Sequence, residues 1–352
     1  MCKPRNVTKA DRDVATVWRY EMLRFVAIAL VTVFAGLPVR NAAAAEKITL
    51  LLNWYPTADH SPLYFAKQQG LYNNAGLDVT IETGKGSGVA AQRVGAGNVE
   101  LGIADMATAL VAKSKGANLA AVMAVYANSP QGLYWLKSSG IASPKDFSGR
   151  KLGNPPGDAA RVMWPAFAKA VGIDPDSVTF VNIAPTAKVA SLKSRAVDII
   201  SDFYNEHDLK VAEFGADLGF LPWRDVGINT YGNSIIVNGD YLAAHKEAVK
   251  TFVAVTQLAF ATCVKDQEPC LNALLSDVSG LDLANQRNQW RRIKELMRDK
   301  TTTTVALGWF DPQRMTSDYD LVKTYFGMDK PFDVKTTYTN EFLDQKIKMT
   351  PQ

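Results

Sequence analysis

Residues 51–66 read LLNWYPTADHSPLYFA, and the way this stretch begins and ends decides the fold. The apolar run Ile48–Leu52 predicts a strand, and Pro56 and Pro62 stiffen the turn and helix start that follow it. Trp54, Tyr55, Asp59, His60 and Tyr64 crowd just beyond the strand. In open α/β sheets ligands bind outside the carboxyl ends of the strands, so these side chains are expected to face a cleft. Flat rings in such a place suit a flat ligand.

Toward the N-terminus, Arg19 and Arg24 precede the apolar run Phe25–Leu37, and the alanines of NAAAA at 41–45 precede Glu46. A charged region, an apolar region and small residues in that order predict a secretory signal over residues 1–45, with Met22 a candidate start that would leave 1–21 upstream of it. The apolar run is short of the roughly 20 residues a spanning helix needs, and no later run is expected to span either. The leader holds seven of the chain's 39 Lys and Arg and three of its 35 Asp and Glu, so the net charge of +4 belongs to it and the remainder is balanced. A balanced chain argues against a nucleic-acid partner or an anionic membrane surface.

Toward the C-terminus, strands and helices alternate. Leu63–Gln69, Val89–Val94 and Ala104–Ala112 read as helices, and Leu77–Glu82, Val99–Ile103 and Ala120–Tyr126 as strands, which predicts a parallel sheet covered on both faces. The pattern loosens at ANSPQG (127–132) before a strand at Leu133–Lys137, and INTYGNSIIV (228–237) reads as a return. Between them lie the helix Ala159–Val171, the strand Val178–Ile183, the helix Ala187–Ser194 and the strand Val197–Ser201. The expected division is one α/β lobe from 46–133 plus 233–352 and a second from 134–232, a size at which one core commonly splits in two. From Tyr241 the chain reads as mainly helical, Trp290 and Trp309 as packing residues, and Asp344–Gln352 as a frayed tail.

Once Cys2 is lost with the leader, Cys263 and Cys270 remain, separated by the six residues VKDQEP, and a disulfide is expected between them. These cysteines and the scattered His60, His207 and His245 do not compose a zinc site. The turn TGKGSG (83–88) opens a helix that could hold an anion, but it lacks the GK[ST] ending of a phosphate loop and reads more simply as a strand-to-helix turn.

LNWYPTADHSPLYFA followed by KQQGLYNNAGLDV resembles the opening of the pyrimidine-precursor family, and VGAGNVELGIADM, YGNSIIVN and TYTNEFL look like further segments of it. That family contains solute-binding proteins of bacterial ABC importers and the fungal enzyme that makes the hydroxymethylpyrimidine half of thiamine. The resemblance implies the class II periplasmic-binding-protein fold, two α/β lobes joined by two crossing strands. In the enzyme branch a lysine holds pyridoxal phosphate and a histidine four positions later is consumed. The matching positions here are Ala104 and Thr108, and the enzyme's cysteine-rich run gives way to Thr230-Tyr231-Gly232-Asn233. A methyl group forms no Schiff base, so the resemblance implies binding without chemistry and without a cofactor.

The expected activity is that of a periplasmic, monomeric receptor that closes over a small aromatic heterocycle, a thiamine-related pyrimidine, and hands it to an ABC permease. Trp54 and Tyr64 would supply ring faces, with Tyr231 entering from the crossing. Glu206 and Asp105 would accept from an exocyclic amine, Asn53 and Asn205 would donate and accept, and His60, matching the family's histidine, would stack or hydrogen-bond. Capping or packing competes with ligand contact for His60, Tyr64 and Asp105, and Glu206 could instead pair with Lys210. A receptor for sulfonate or nitrate would instead use the helix starts near Gly86 and Gly157.

Overall fold

The computed structural model describes residues 44–326 and 331–350. The expected signal and the choice between Met1 and Met22 lie outside these residues. Two five-stranded sheets carry the fold. The first contains β1 (Glu46–Leu51), β2 (Leu77–Glu82), β3 (Leu101–Asp105), β4 (Leu119–Ala124) and β10 (Asn233–Asn238), in the order β2-β1-β3-β10-β4. The second contains β5 (Gln131–Leu136), β6 (Lys151–Asn154), β7 (Thr179–Asn182), β8 (Ile199–Phe203) and β9 (Leu218–Pro222), in the order β7-β6-β8-β5-β9.

Neither sheet is purely parallel. β1 runs parallel to β2 and β3, but β10 is antiparallel to β3 and β4. In the second sheet β6 runs parallel to β7 and β8, whereas β5 is antiparallel to β8 and β9. The exceptions have one cause. β5 and β10 are the strands by which the chain enters a sheet from the other lobe, so each starts at the cleft and runs away from it, against strands that run toward it.

The boundaries differ from expectation in two respects. β5 pairs with β8 and β9 from Gln131 or Gly132 onward, so a boundary after residue 133 would cut through a strand of the second lobe. The crossings themselves, 125–130 and 227–232, are not strands. They are tied together instead: the Ser129 amide donates to Asn229 Oδ1 at 2.9 Å, Asn229 Nδ2 donates to Asn128 Oδ1 at 3.1 Å, and the Gly232 amide donates to the Tyr126 carbonyl at 3.1 Å.

The first lobe's core is formed by β1, β3 and the helices Lys246–Lys265, Glu268–Asp277 and Leu283–Met297, with Trp290 fully buried among them. Lys246–Lys265 is long and apolar enough to span a membrane, contrary to the sequence reading. Its Phe252, Val253 and Phe260 are spent on the lobe core. The expected helix 159–171 is broken at Met163 because Pro165 cannot donate within it, and two shorter helices result. The tail is not frayed up to residue 350: the Asp344 amide donates to Gln257 Oε1 at 2.8 Å, the Met349 amide to the Thr302 carbonyl at 2.9 Å, and Met349 is buried.

Cys263 and Cys270 are bonded across the turn between two helices, with Cα atoms 5.8 Å apart, and both are buried. On the chain-entropy account so short a loop contributes roughly 2 to 3 kcal/mol. Reduction, or the double substitution to alanine, is expected to lower the urea midpoint accordingly. An unchanged midpoint would show that the helix pair holds without the bond.

Candidate functional site

The chain reaches the space between the lobes from both sheets at the ends of their parallel strands. Leu52 follows β1 and hands on to Asn53 and Trp54, while β8 ends at Phe203 and continues into Tyr204, Asn205 and Glu206. Together they line a narrow chamber. Asn53, Trp54, Asp59 and His60 contribute its first-lobe wall, and Asp158, Lys188, Asp202, Asn205 and Glu206 its second-lobe wall. Five expected residues, Asn53, Trp54, His60, Asn205 and Glu206, thus share one chamber.

His60 acts on its neighbours as well as lining the wall. Its Nδ1 accepts from the Thr57 amide at 3.1 Å, so Nε2 carries the proton and donates to Asn53 Oδ1 at 3.1 Å. Burial holds the imidazole below its ordinary range, and the neutral ring makes no ion pair with Asp59, 3.5 Å away. Asp59 in turn accepts from Thr57 Oγ1 at 2.5 Å and from Asn233 Nδ2 at 3.1 Å. Both ring nitrogens of His60 are therefore engaged, and it fixes Asn53 while offering the cavity only its face.

The opposite wall is an alternating row of charges that sequence reasoning missed. Lys188 Nζ lies 2.8 Å from Asp158 Oδ2 and 3.7 Å from Asp202 Oδ1, and Lys210 Nζ lies 2.6 Å from Asp202 Oδ2. All four side chains are buried. Burial works against the Lys188 ammonium, but Asp158 and Asp202 outweigh it and hold the group above its ordinary range. Burial likewise works against the Asp202 carboxylate, and Lys210 and Lys188 hold it below the usual range. Two cations and two anions cancel, so neither lysine is left to receive an anion.

Glu206 differs. Burial first, and the negative charge of Asp202 second, push its carboxyl up to about 7. Lys210 does not pair with its carboxylate on an exposed face but donates to its backbone carbonyl at 3.2 Å. Tyr55 reaches across from the first lobe and donates its hydroxyl to Glu206 Oε1 at 2.7 Å. Other contacts also join the lobes. The Gly88 amide donates to the Gly157 carbonyl at 3.0 Å, Arg291 and Arg292 grip Asp208 at 2.6 and 2.9 Å, and Arg292 also donates to the Tyr204 hydroxyl. Gly86, at φ 128°, and Gly157 allow that approach, since a Cβ on Gly86 would overlap the Gly157 carbonyl.

Four expected residues lie outside the lining. Tyr64 faces the first-lobe core, where burial and then Asp277 push its hydroxyl up to about 12; its helix turns that side toward Glu268–Asp277. Asp105 caps the helix Met106–Ser114, accepting from the Thr108 amide at 3.1 Å, and is fully enclosed behind Ser87, whose hydroxyl accepts from its amide. Gly157 serves the lobe contact through its carbonyl. Tyr231 is turned away from the cleft because its amide donates to Asp318 at 2.9 Å, its hydroxyl accepts from the Asp311 amide at 2.8 Å, and Arg314 covers its ring at 4.3 Å.

Two of the helix-start amides that an anion would need are already taken. The Gly88 amide is given to Gly157, and the Ala160 amide to Asp158 Oδ1 at 2.9 Å. Over Trp54 lies a cation rather than an anion site: Lys188 Nζ sits 4.5 Å from the ring centroid.

Known proteins agree with this architecture. The alkanesulfonate-binding protein SsuA of Xanthomonas axonopodis pv. citri superposes with a TM-score of 0.67 at 16% identity, over 84% of this chain and 99% of that one. The fold is that of the periplasmic binding proteins. In sequence, the chain is 26% identical over 301 residues to 4-amino-5-hydroxymethyl-2-methylpyrimidine phosphate synthase of Legionella pneumophila, spanning 85% of this chain and 92% of the relative. It is 22% identical over 235 residues to the formylaminopyrimidine-binding protein of Halalkalibacterium halodurans, spanning 66% and 71% respectively. The NMT1/THI5-like family model matches residues 57–269, a range that holds most of the chamber wall and both crossings, and the chain belongs to that family.

Proposed function

We propose that this protein is the periplasmic solute receptor of an ABC importer, that it closes its lobes over a thiamine-related aminopyrimidine, and that it releases the ligand unaltered to a permease. The observation that carries this reading is Glu206. Near neutral pH its carboxyl, pushed up to about 7, retains a proton for much of the time. A carboxylic acid donates through one oxygen and accepts through the other, and an aminopyrimidine edge offers a ring nitrogen beside an exocyclic amine. Trp54 supplies a face for the ring, and Asn53 and Asn205 supply further donors and acceptors in the same chamber. The similarity to a formylaminopyrimidine-binding protein supports the same ligand class.

The similarity to a synthase raises the question of chemistry. Lys188 is the amine in the chamber wall, and its carboxylate partners hold it as an ammonium, which is no nucleophile. Ala104 and Thr108 supply neither amine nor imidazole, and Thr108 is engaged with Asp105. This supports a receptor rather than an enzyme.

Thermal unfolding of the protein without its leader, against aminopyrimidines, thiamine, riboflavin, nitrate and sulfonates including taurine, tests the reading. An upward shift of several degrees is expected with an aminopyrimidine and none with taurine or nitrate. A shift with a sulfonate alone would replace the ligand class.

A further inference from the structure

A second cavity, open to solvent, lies beside the chamber. Lys188, Asp202 and Glu206 border both this space and the inner chamber, so the two adjoin at this row of side chains. The walls come from both lobes. Tyr55, Pro56 and the loop Val278–Leu281 stand on one side, with Pro185, Val189 and Leu209 on the other. Charge is confined to the inner end, where Lys188, Asp202, Glu206 and Lys210 meet; the outer walls are mainly apolar. Leu209 is one of four large apolar side chains left exposed among the described residues, and it stands on this wall.

We propose that this vestibule is a second subsite, which takes an uncharged, largely apolar substituent carried by the ring that the inner chamber holds. The inference rests on the proposed function, because the ring must first be seated at Glu206. A ring paired with that carboxyl lies at the boundary of the two spaces, and a substituent on it enters the vestibule where the Tyr55 hydroxyl gives up its bond to Glu206. A second charge on the substituent would meet no counterion among the outer walls, whereas carbon there covers Pro56, Pro185 and Leu209 from both sides.

Calorimetric titration with 4-amino-5-hydroxymethyl-2-methylpyrimidine and with its 5-benzyloxymethyl ether tests the proposal. The ether is expected to bind about tenfold more tightly, the gain from burying on the order of 50 to 60 Å² of apolar surface. Leu209→Asp should remove that gain and leave the parent ring's affinity unchanged. Val211→Asp, at an exposed position of the same helix outside the vestibule, should leave the gain intact. Parent binding with an ether of equal or weaker affinity would overturn the subsite and leave the proposed function standing. Binding of neither compound would overturn both.

Discussion

Replacing Lys188 with methionine is expected to lower the stability of the folded protein by roughly 3 to 5 kcal/mol, the cost of leaving buried charge without its partner. The side chain is 3% exposed and stands between Asp158 and Asp202. Its removal leaves two buried carboxylates facing the single ammonium of Lys210, which reaches Asp202 but not Asp158. Hydrogen bonds from the Ala160 amide and Ser201 Oγ remain on Asp158, yet neither supplies a charge. Adding Asp158→Asn to the variant should restore part of the loss, because it removes the orphaned anion. Urea unfolding of the wild type, the single and the double variant measures this. A single variant within about 1 kcal/mol of wild type would mean that water reaches the row and screens it.

Glu206→Gln is expected to act in the opposite direction and only at high pH. The folded carboxyl titrates at about 7 against an ordinary value of 4.5, so the folded state holds its proton more tightly than the unfolded chain does. Stability from this group is therefore fully present below pH 4.5 and is lost as the pH rises through 7. Glutamine carries no such proton and can still accept from Tyr55. Relative to wild type, the variant should gain roughly 2 to 3 kcal/mol between pH 4 and pH 8. Unfolding free energies of both proteins at each pH give the difference. One that does not change with pH would show that Glu206 titrates at the same pH in the folded and unfolded states.

These two residues mark how far the site was legible in the sequence. Glu206 stands just past a strand end, as do Asn53, Trp54 and Asn205, and the rule that ligands gather beyond such ends locates all four. Asp202 lies within β8 beside them and was open to the same rule. Lys188 carries no local signal: it begins an ordinary short helix, KVASLK, and its role depends on Asp158 and Asp202, 30 residues before it and 14 after it, meeting in space. Tyr64, Asp105 and Tyr231 failed for a related reason. Each has the right chemistry near the cleft, but helix phase, a cap and a hinge contact turned the side chains elsewhere.

The fold shows the same division. Leu77–Glu82 was bounded correctly because apolar and polar residues alternate between a glycine and a turn. β9, LGFLP, escaped because glycine and proline within five residues look like a loop, and only pairing with β5 makes it a strand. The helix Pro312–Phe326 escaped because its polar composition hides a narrow stripe, Met315 and Val322, that joins a core cluster shared by both lobes. The antiparallel entry of β5 and β10 could not be read from either strand, since it follows from the crossings.

Equilibrium dialysis of residues 46–352 against 4-amino-5-hydroxymethyl-2-methylpyrimidine, followed by mass spectrometry of the released ligand, tests the central claim most directly. The account predicts one ligand per chain, recovered without change in mass, and its loss when Trp54 is replaced by alanine. A bound fraction unaffected by Trp54→Ala, or a ligand returned with altered mass, would contradict it.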